Sequence, residues 1–558
     1  PYAKGGDYSP FYDDIHLLVN WSNNGLEIKT KAKEMYHTET RTVKCQEYYL
    51  REGLTYPLVT VKGINVRVLP KGCICDNGGP GIFAAEHDSL WKCLGVVNSR
   101  LFQFILNSLT TSRHWQVGYV SLVPYSQIDS RGRQLAKECC MLRRSLNEFD
   151  ETTNEFCHFA LSSPTEEMRG RAVAYRNSYV ELDQVVAQKY GFKTVPKFIE
   201  SYLGDLEIGK AAKKCFQGMS DQEWVSSMLS YVFGIVVGRW DVRIAKNPSF
   251  APKSPDPFLP LPVCSPGMLV GEDGFPARPG GIVSKEWLRT RPDANTLPPE
   301  GSLKNPTIFD SEYPIAIAWD GILVDDPDHP YDVIRRVMDV LAVILKDGAE
   351  AIEEEVREIL RIKELREYFR KPGNDGFWID HVKRYSKSRR KAPIYWLLQS
   401  IRGNYAVWLY YHRLTKDTLF KVIKDFVEPK IQFERNRLKE IKQKYDVSKS
   451  SGHGLEERKL ANATDQQEKF LEELNRFRND IQEVADRGYD PDLNDGVIIN
   501  IAPFHKIIPW KEPAKIWKEL EAGGYDWSHM AMKLWPERVK EKCKKDKSLA
   551  IAHGLDKD

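Results

Sequence analysis

The chain has 558 residues, with 81 Lys+Arg against 78 Asp+Glu and 42% apolar residues; at about 150 residues per domain that makes room for about four domains with real cores. Mean hydropathy is −0.48, and the longest uncharged apolar stretch, 224–238, has 15 residues, short of the roughly 20 that a membrane span needs, so no membrane protein is expected. A formal net charge of +3 excludes a histone-like polycation but not local basic patches, and 11% aromatic residues with 14 Trp exclude a disordered chain.

Ten cysteines are ordinary usage for this length. Cys73-x-Cys75 and Cys139-Cys140 lack zinc spacing and there is no C-x-x-C, so reduced structural thiols in a cytoplasmic protein are expected rather than a disulfide framework. No signal peptide is visible. The chain starts at Pro1 inside what reads as running sequence, so a piece of a longer polypeptide is expected.

In chain order, residues 11–125 alternate strand-like runs with turns. The runs 15–21 (IHLLVNW), 58–61 and 65–69 are β-branched and apolar, punctuated by Gly63, Pro70-Lys71-Gly72 and 77–81 (NGGPG). Leu90, Leu94, Val97, Leu101, Phe104 and Ile105 then recur at helical spacing over 90–109, and 119–124 (YVSLVP) reads as another strand. Residues 1–130 are therefore predicted to be an α/β domain. Residues 131–246 read as helical, with helices over 134–159, 175–190 and 219–240. The stretch 247–330 opens dense in Pro and Gly and reads as a connecting segment. Residues 331–418 mix helices (331–344, 349–369) with strands (392–396, 407–411) around a basic cluster. Over 419–488, Ile431, Leu438, Ile441 and Tyr445 face Phe470, Leu474, Phe477, Ile481 and Val484; the spacing of four, three, four and three is a heptad seam and predicts an antiparallel coiled-coil hairpin. Thr464 and Gln467 fit a capping box at the start of its second helix. Residues 489–558 read as a turn, a strand over 497–501 and helices, with six basic residues in 537–547. The fold class expected is α+β: an α/β domain followed by mainly helical domains.

Catalytic motifs are mostly missing from the sequence. There is no P-loop, H-E-x-x-H or G-x-S-x-G. Gly78–Gly81 lacks the Lys-Ser/Thr of a phosphate cradle and reads as a turn. The N/D-P-P-Y/F tetrapeptide and the F-x-G-x-G turn of amino-methyltransferases are absent, and Asn247-Pro248-Ser249-Phe250 lacks the second Pro. Asp14 with Glu27 and Lys29 matches the D…E-x-K pattern of Mg²⁺ nucleases, a pattern that chance supplies readily in a chain with 28% charged residues. His412, beside Arg413, reads as a structural histidine.

The basic features carry more. Residues 383–391 (KRYSKSRRK) hold six cations, Lys383, Arg384, Lys387, Arg389, Arg390 and Lys391, interleaved with Tyr385 and followed by Tyr395 and Trp396. Cations bind phosphates and release counterions; Ser386 and Ser388 add phosphate hydrogen bonds. The plain alternative is a solvated basic loop.

The order of motifs resembles a known group. LPKGCICDNGGPGIF (69–83), LWKCLGVVNSRLFQFILNSL (90–109) and GYVSLVPYS (118–126) resemble the target-recognition domain of large adenine-specific DNA methyltransferases: the PglX proteins of BREX phage defence, the DISARM methyltransferase and type IIG/IIL restriction–modification enzymes. ELDQVVAQKYGF (181–192), MLSYVFGIVVGRWDVR (228–243), KAPIYWLLQS (391–400), YAVWLYYHRLTKDTLFKV (405–422) and the C-terminal segment from YDPDLNDG onward resemble later segments of the same enzymes. In that group the catalytic domain precedes the recognition domain, and its motifs are not in these residues. The resemblance therefore implies the DNA-binding specificity portion of an N6-adenine methyltransferase, with S-adenosylmethionine bound by an upstream domain and no catalytic, cofactor or metal residue in this chain. It implies double-stranded DNA, a catalytic domain in cis or trans, and other defence-system proteins as partners. Base flipping by such an enzyme needs a second body that clamps the duplex and reads base edges. Loops within 30–125 supply Lys44, Gln46, Arg67, Asn77, Arg113, His114 and Gln116 as base-reading chemistry. The DNA-binding set expected is Lys383, Arg384, Lys387, Arg389, Arg390 and Lys391 with Lys44, Arg67, Arg113 and Gln116. A non-enzymatic scaffold of a defence complex is the alternative.

Overall fold

In the computed structural model, residues 1–110, 113–159, 164–371, 376–387, 390–450 and 454–556 are described. They form a mixture of helices and small sheets, an α+β protein. The chain divides into two units, Pro1–Tyr231 with Trp240–Tyr313, and Val232–Arg239 with Pro314–Asp558. The Pro/Gly-rich stretch thus joins the first unit up to Tyr313. All ten cysteines are free thiols, and among the described residues no helix is long and apolar enough to cross a membrane.

In the first unit, Gly53–Thr55 is the middle strand of a three-stranded antiparallel sheet, between Arg67–Leu69 and Gly81–Ile82. Leu54, Val66 and Val68 pack into one core with Leu94, Leu135, Cys139, Tyr179 and Leu182, supplied by helices His87–Val97, Ser130–Ser145 and Pro164–Lys189. The helical pattern over 90–109 proves to be two helices. Asn98 interrupts it: its side chain accepts from Val66 N (2.9 Å) and donates to Val66 O (2.8 Å). Ser99 then caps Arg100–Leu109 by accepting from Phe102 N at 3.2 Å.

Several local expectations fail here. Residues 15–21 are not a strand. Leu17 O takes one bond from Tyr2 N (2.8 Å), the Asn154 side chain takes Ile15 O (3.0 Å), and Leu18 is exposed. Residues 58–61 form a single bridge, Val59 to His114. That edge is filled by 113–115, with Trp115 N donating to Leu58 O (2.7 Å); the run read as a strand at 119–124 coils instead into the short helix Val117–Leu122. The helix expected over 134–159 ends at Ser145. The loop-rich segment builds its own small core of Cys264, Val270, Val283, Trp287 and Leu288, beside the strand pair Ile282–Val283 and Thr307–Ile308.

The second unit is built around an antiparallel sheet in the order Tyr395–Gln399, Ala406–Tyr410, Ile322–Val324, with Leu397 opposite Trp408 and Val407 opposite Val324. All three strands are buried along their length. Phe233, in the segment Val232–Arg239, stands 4.5 Å from the Tyr395 ring and 5.6 Å from Phe377. Trp396 packs 5.2 Å from Tyr411 and 5.9 Å from Phe504.

Two long helices, Glu428–Ser450 and Gly454–Asp486, lie side by side with the start of one beside the end of the other: Glu428 meets Arg478 at 3.2 Å and Lys442 meets Glu468 at 2.7 Å. Leu474, Phe477 and Ile481 are buried. The capping box does not form. The second helix begins ten residues earlier, Thr464 Oγ1 donates back to Leu460 O (2.8 Å) and Gln467 Nε2 donates to Glu434 Oε2 (2.6 Å). Residues 497–501 are a helix, not a strand. It follows Gly496 (φ 84°) and is pinned by buried Asn500, whose amide donates to Asp492 O (2.7 Å) and Tyr411 Oη (3.0 Å).

One contact ties the long helix to the sheet. Glu473, 4% exposed, accepts from Ser400 Oγ (2.6 Å), Arg402 N (3.0 Å), Asn404 N (3.4 Å) and Asn404 Nδ2 (2.7 Å), all in the turn between the two central strands. Removing a buried carboxylate leaves its donors unsatisfied, so Glu473→Ala is expected to destabilise the hairpin by about 3 kcal/mol, read as lost hydrogen-exchange protection across 395–410. Lys469→Ala, which removes only a surface pair with Asp465, is expected to stay within about 0.5 kcal/mol.

Candidate nucleic-acid interface

The basic cluster is ordered by its neighbours. Phe377–Arg384 is a helix, and Lys383 and Arg384 close its last turn, where cations complement the helix dipole. Ser386–Lys387 and Arg390–Lys391 then pair antiparallel, Arg390 opposite Lys387 and Lys391 opposite Ser386. Ser386 Oγ donates to Val382 O (2.5 Å). Ser388 and Arg389 lie outside the described residues. Arg390 is exposed; so is Lys391, which reaches Glu512 at 2.9 Å and lies 5.8 Å from the centre of the Trp510 ring.

Beneath this strand pair lies an aromatic base. His381 is 1% exposed. Its Nε2 accepts from Ile394 N (2.9 Å) and Tyr395 N (3.0 Å), so the proton sits on Nδ1 by assignment from the hydrogen-bond network. The ring lies 4.6 Å from Tyr395, stacked, and 4.6 Å from Tyr385. Burial, with the Arg384 and Arg239 guanidiniums nearby, holds its pKa well below the ordinary imidazole value. Arg239 donates to the Tyr385 hydroxyl and lies 3.4 Å from the Tyr395 hydroxyl, its guanidinium 5.4 Å from the centre of the Tyr385 ring. Arg413 stands 5.3 Å over Trp319. His412 is exposed, its ring 5.3 Å from Tyr410.

The other expected residues belong to the first unit and form no single cluster. Lys44, Asn77, Arg113, His114 and Gln116 are exposed, and Gln46 is held by Asn24 at 2.6 Å. Arg67 corrects the loop expectation. It lies in a strand, 5% exposed, its guanidinium bridged to Asp13. Arg239 was missed beside the cluster because it comes from a segment distant in sequence. The signal was present, in the Gly-Arg-Trp (238–240) triplet read only as a family-like motif.

The nuclease pattern does not assemble. Asp14 accepts from Asn154 N (2.9 Å), Glu27 from Asn20 Nδ2 (2.8 Å), and Lys29 lies 5.5 Å from the centre of the Trp21 ring. Among the described residues no group of three or more His, Cys, Asp and Glu is placed to hold a metal. In the two stretches nearest to cofactor motifs, local turns already use the polar side chains. Asp76 Oδ1 already takes Gly78 N (2.7 Å) and Gly79 N (3.1 Å). Asn247 Oδ1 is engaged by Ser249 N (3.2 Å) and Oγ (2.8 Å).

What the second-unit cluster offers chemically is exposed cations held by a buried aromatic packing, the chemistry of phosphate contact.

His381 makes stability pH-dependent. Its folded pKa lies below the unfolded one, so its contribution is complete above pH about 6.5 and is lost as pH falls below that. His381→Gln keeps an acceptor for the two backbone N–H groups but does not titrate. It is expected to remove about one proton from the stability slope between pH 6.5 and 5 in urea unfolding; an unchanged slope would contradict the neutral buried imidazole.

Comparison with known proteins adds an independent line. No protein-family model matches the chain. It is 23% identical over 546 residues to the adenine-specific methyltransferase BrxX of Escherichia coli O9:H4 (strain HS), covering 91% of this chain and 40% of that protein. It is also 23% identical over 527 residues to the adenine-specific methyltransferase PglX of Lacticaseibacillus casei (strain Zhang), covering 90% of this chain and 38% of that protein. The chain therefore spans about two fifths of the length of the curated relatives it matches.

Proposed function

We propose that this chain is the DNA-binding specificity portion of an adenine-specific (N6) methyltransferase of a phage-defence or restriction–modification system, acting in the cytoplasm with an S-adenosylmethionine-binding catalytic domain that lies outside these residues, in cis or in trans. The observation that carries the reading is the likeness to two adenine-specific methyltransferases along nine tenths of this chain but only about two fifths of theirs. The basic strand pair over its aromatic base supplies a second support. Lys383, Arg384, Lys387, Arg390 and Lys391 contact DNA phosphates in this account, and Arg389 completes the sequence cluster. Lys44, Arg113 and Gln116 remain base-reading proposals on the first unit; buried Arg67 is withdrawn from that set. The two long helices act as a coiled-coil spacer.

The scaffold reading draws on the exposed Val59, Val61, Val117 and Leu122, apolar residues that suit a protein partner. Duplex binding separates the two. Anisotropy titrations on one duplex at increasing salt are expected to show log–log weakening, and Arg390→Ala is expected to lower the slope by about 0.9. Lys391→Ala, whose ammonium already serves Glu512, is expected to change it less. No duplex binding at low salt, with a defence protein captured instead, would favour the scaffold.

A further inference from the structure

The turn held by Glu473 is braced from beneath. A turn that only reverses a chain keeps at most its i→i+3 backbone bond and leaves its other backbone groups to water. This one sets a buried carboxylate, with no ion pair among the described residues, against four donors. Burying a charge without a counter-charge costs several kcal/mol unless hydrogen bonds offset it. The tip is also braced from other sides. Gln399 Nε2 donates to Arg370 O (2.8 Å), Tyr405 Oη donates to Phe426 O (3.2 Å), and Gly403 N donates to Ser400 O (2.8 Å) with Gly403 at φ 76°.

The bracing fixes the backbone and leaves two side chains outside. Ile401 is 67% exposed at the apex, and Arg402 beside it is exposed although its own N–H is bound by Glu473. A lone exposed isoleucine is ordinary on a mobile loop. Here it is β-branched, with a stiff χ1, on a turn whose conformation is imposed from beneath.

A rigid apolar point beside a guanidinium is the chemistry that enters a minor groove: the apolar group unstacks a base step and the cation sits in the negative potential of the groove. We infer that Ile401 and Arg402 form a wedge that enters the minor groove of duplex DNA, Ile401 against a base step and Arg402 along the groove. The inference rests on the DNA-binding reading above and adds to it a point of duplex deformation, on the opposite end of the central hairpin from the basic strand pair.

The test uses the full chain and duplexes carrying 2-aminopurine at successive positions. Wild type is expected to raise the 2-aminopurine fluorescence at one or two adjacent steps on binding. Ile401→Ser is expected to cut that rise to under about a third and to weaken binding about tenfold. Ile401→Phe is expected to keep the rise. Arg402→Ala is expected to lower the salt slope by about 0.9. Both residues are exposed, so the variants are expected to melt within a few degrees of wild type, which is checked first. Duplex binding with no fluorescence rise at any position, or a full rise with Ile401→Ser, overturns the wedge and leaves the DNA reading intact. No duplex binding by wild type overturns both.

Discussion

The second unit depends on covering both faces of one small sheet. Every residue from Tyr395 to Gln399 and from Ala406 to Tyr410 is buried. A three-stranded sheet with no wet face cannot stand alone. It draws in Phe233 from a segment far upstream, the helix Phe377–Arg384, and Phe504 from the C-terminal part. The aromatic weight of the hairpin, Tyr395, Trp396, Trp408 and Tyr410, is what those elements pack on. The same burial sets the electrostatics. It holds His381 neutral between Tyr385 and Tyr395, and it leaves Glu473 to satisfy the turn where the strands reverse.

That requirement also explains how the cations come together. The basic residues are consecutive in sequence, but their ordering is not local. Lys383 and Arg384 finish a helix that is anchored through His381 to the first central strand, and Lys387 with Arg390 follows as a short strand pair. Arg239 arrives from the segment that supplies Phe233. A solvated basic loop would need none of these contacts. The cluster is instead ordered by buried aromatic packing, His381 between Tyr385 and Tyr395.

Legibility in the sequence followed the length of each pattern. The helices expected over 175–190, from apolar period, and over 219–240, from a continuous apolar run, correspond to Pro164–Lys189 and Asp221–Val236, and the buried strands near 395 and 407 were plain from their apolar and aromatic runs. The seam Leu474, Phe477, Ile481 was readable at heptad spacing. Short β-branched runs were not: 15–21, 119–124 and 497–501 look alike on paper, and only tertiary neighbours decide between strand, coil and helix. Thr464 and Gln467 matched a cap because the helix continues upstream through polar sequence that gives no periodic signal. In the candidate site, the cluster at 383–391 was legible as composition. Arg67, in a run already read as strand-like, was taken as a base-reading residue, since nothing local reveals that Asp13 pairs with it. Arg239 needed the fold to bring it to Tyr385 and Tyr395.

The central claim is that sequence-specific DNA recognition resides in these residues while methyl transfer is supplied from elsewhere. The most direct measurement is to bind the 558-residue chain to a random duplex pool at moderate salt and sequence the retained fraction. The account predicts enrichment of one short motif containing an adenine, with the catalytic partner absent. Retention without any enriched motif, or no retention at low salt, would contradict it.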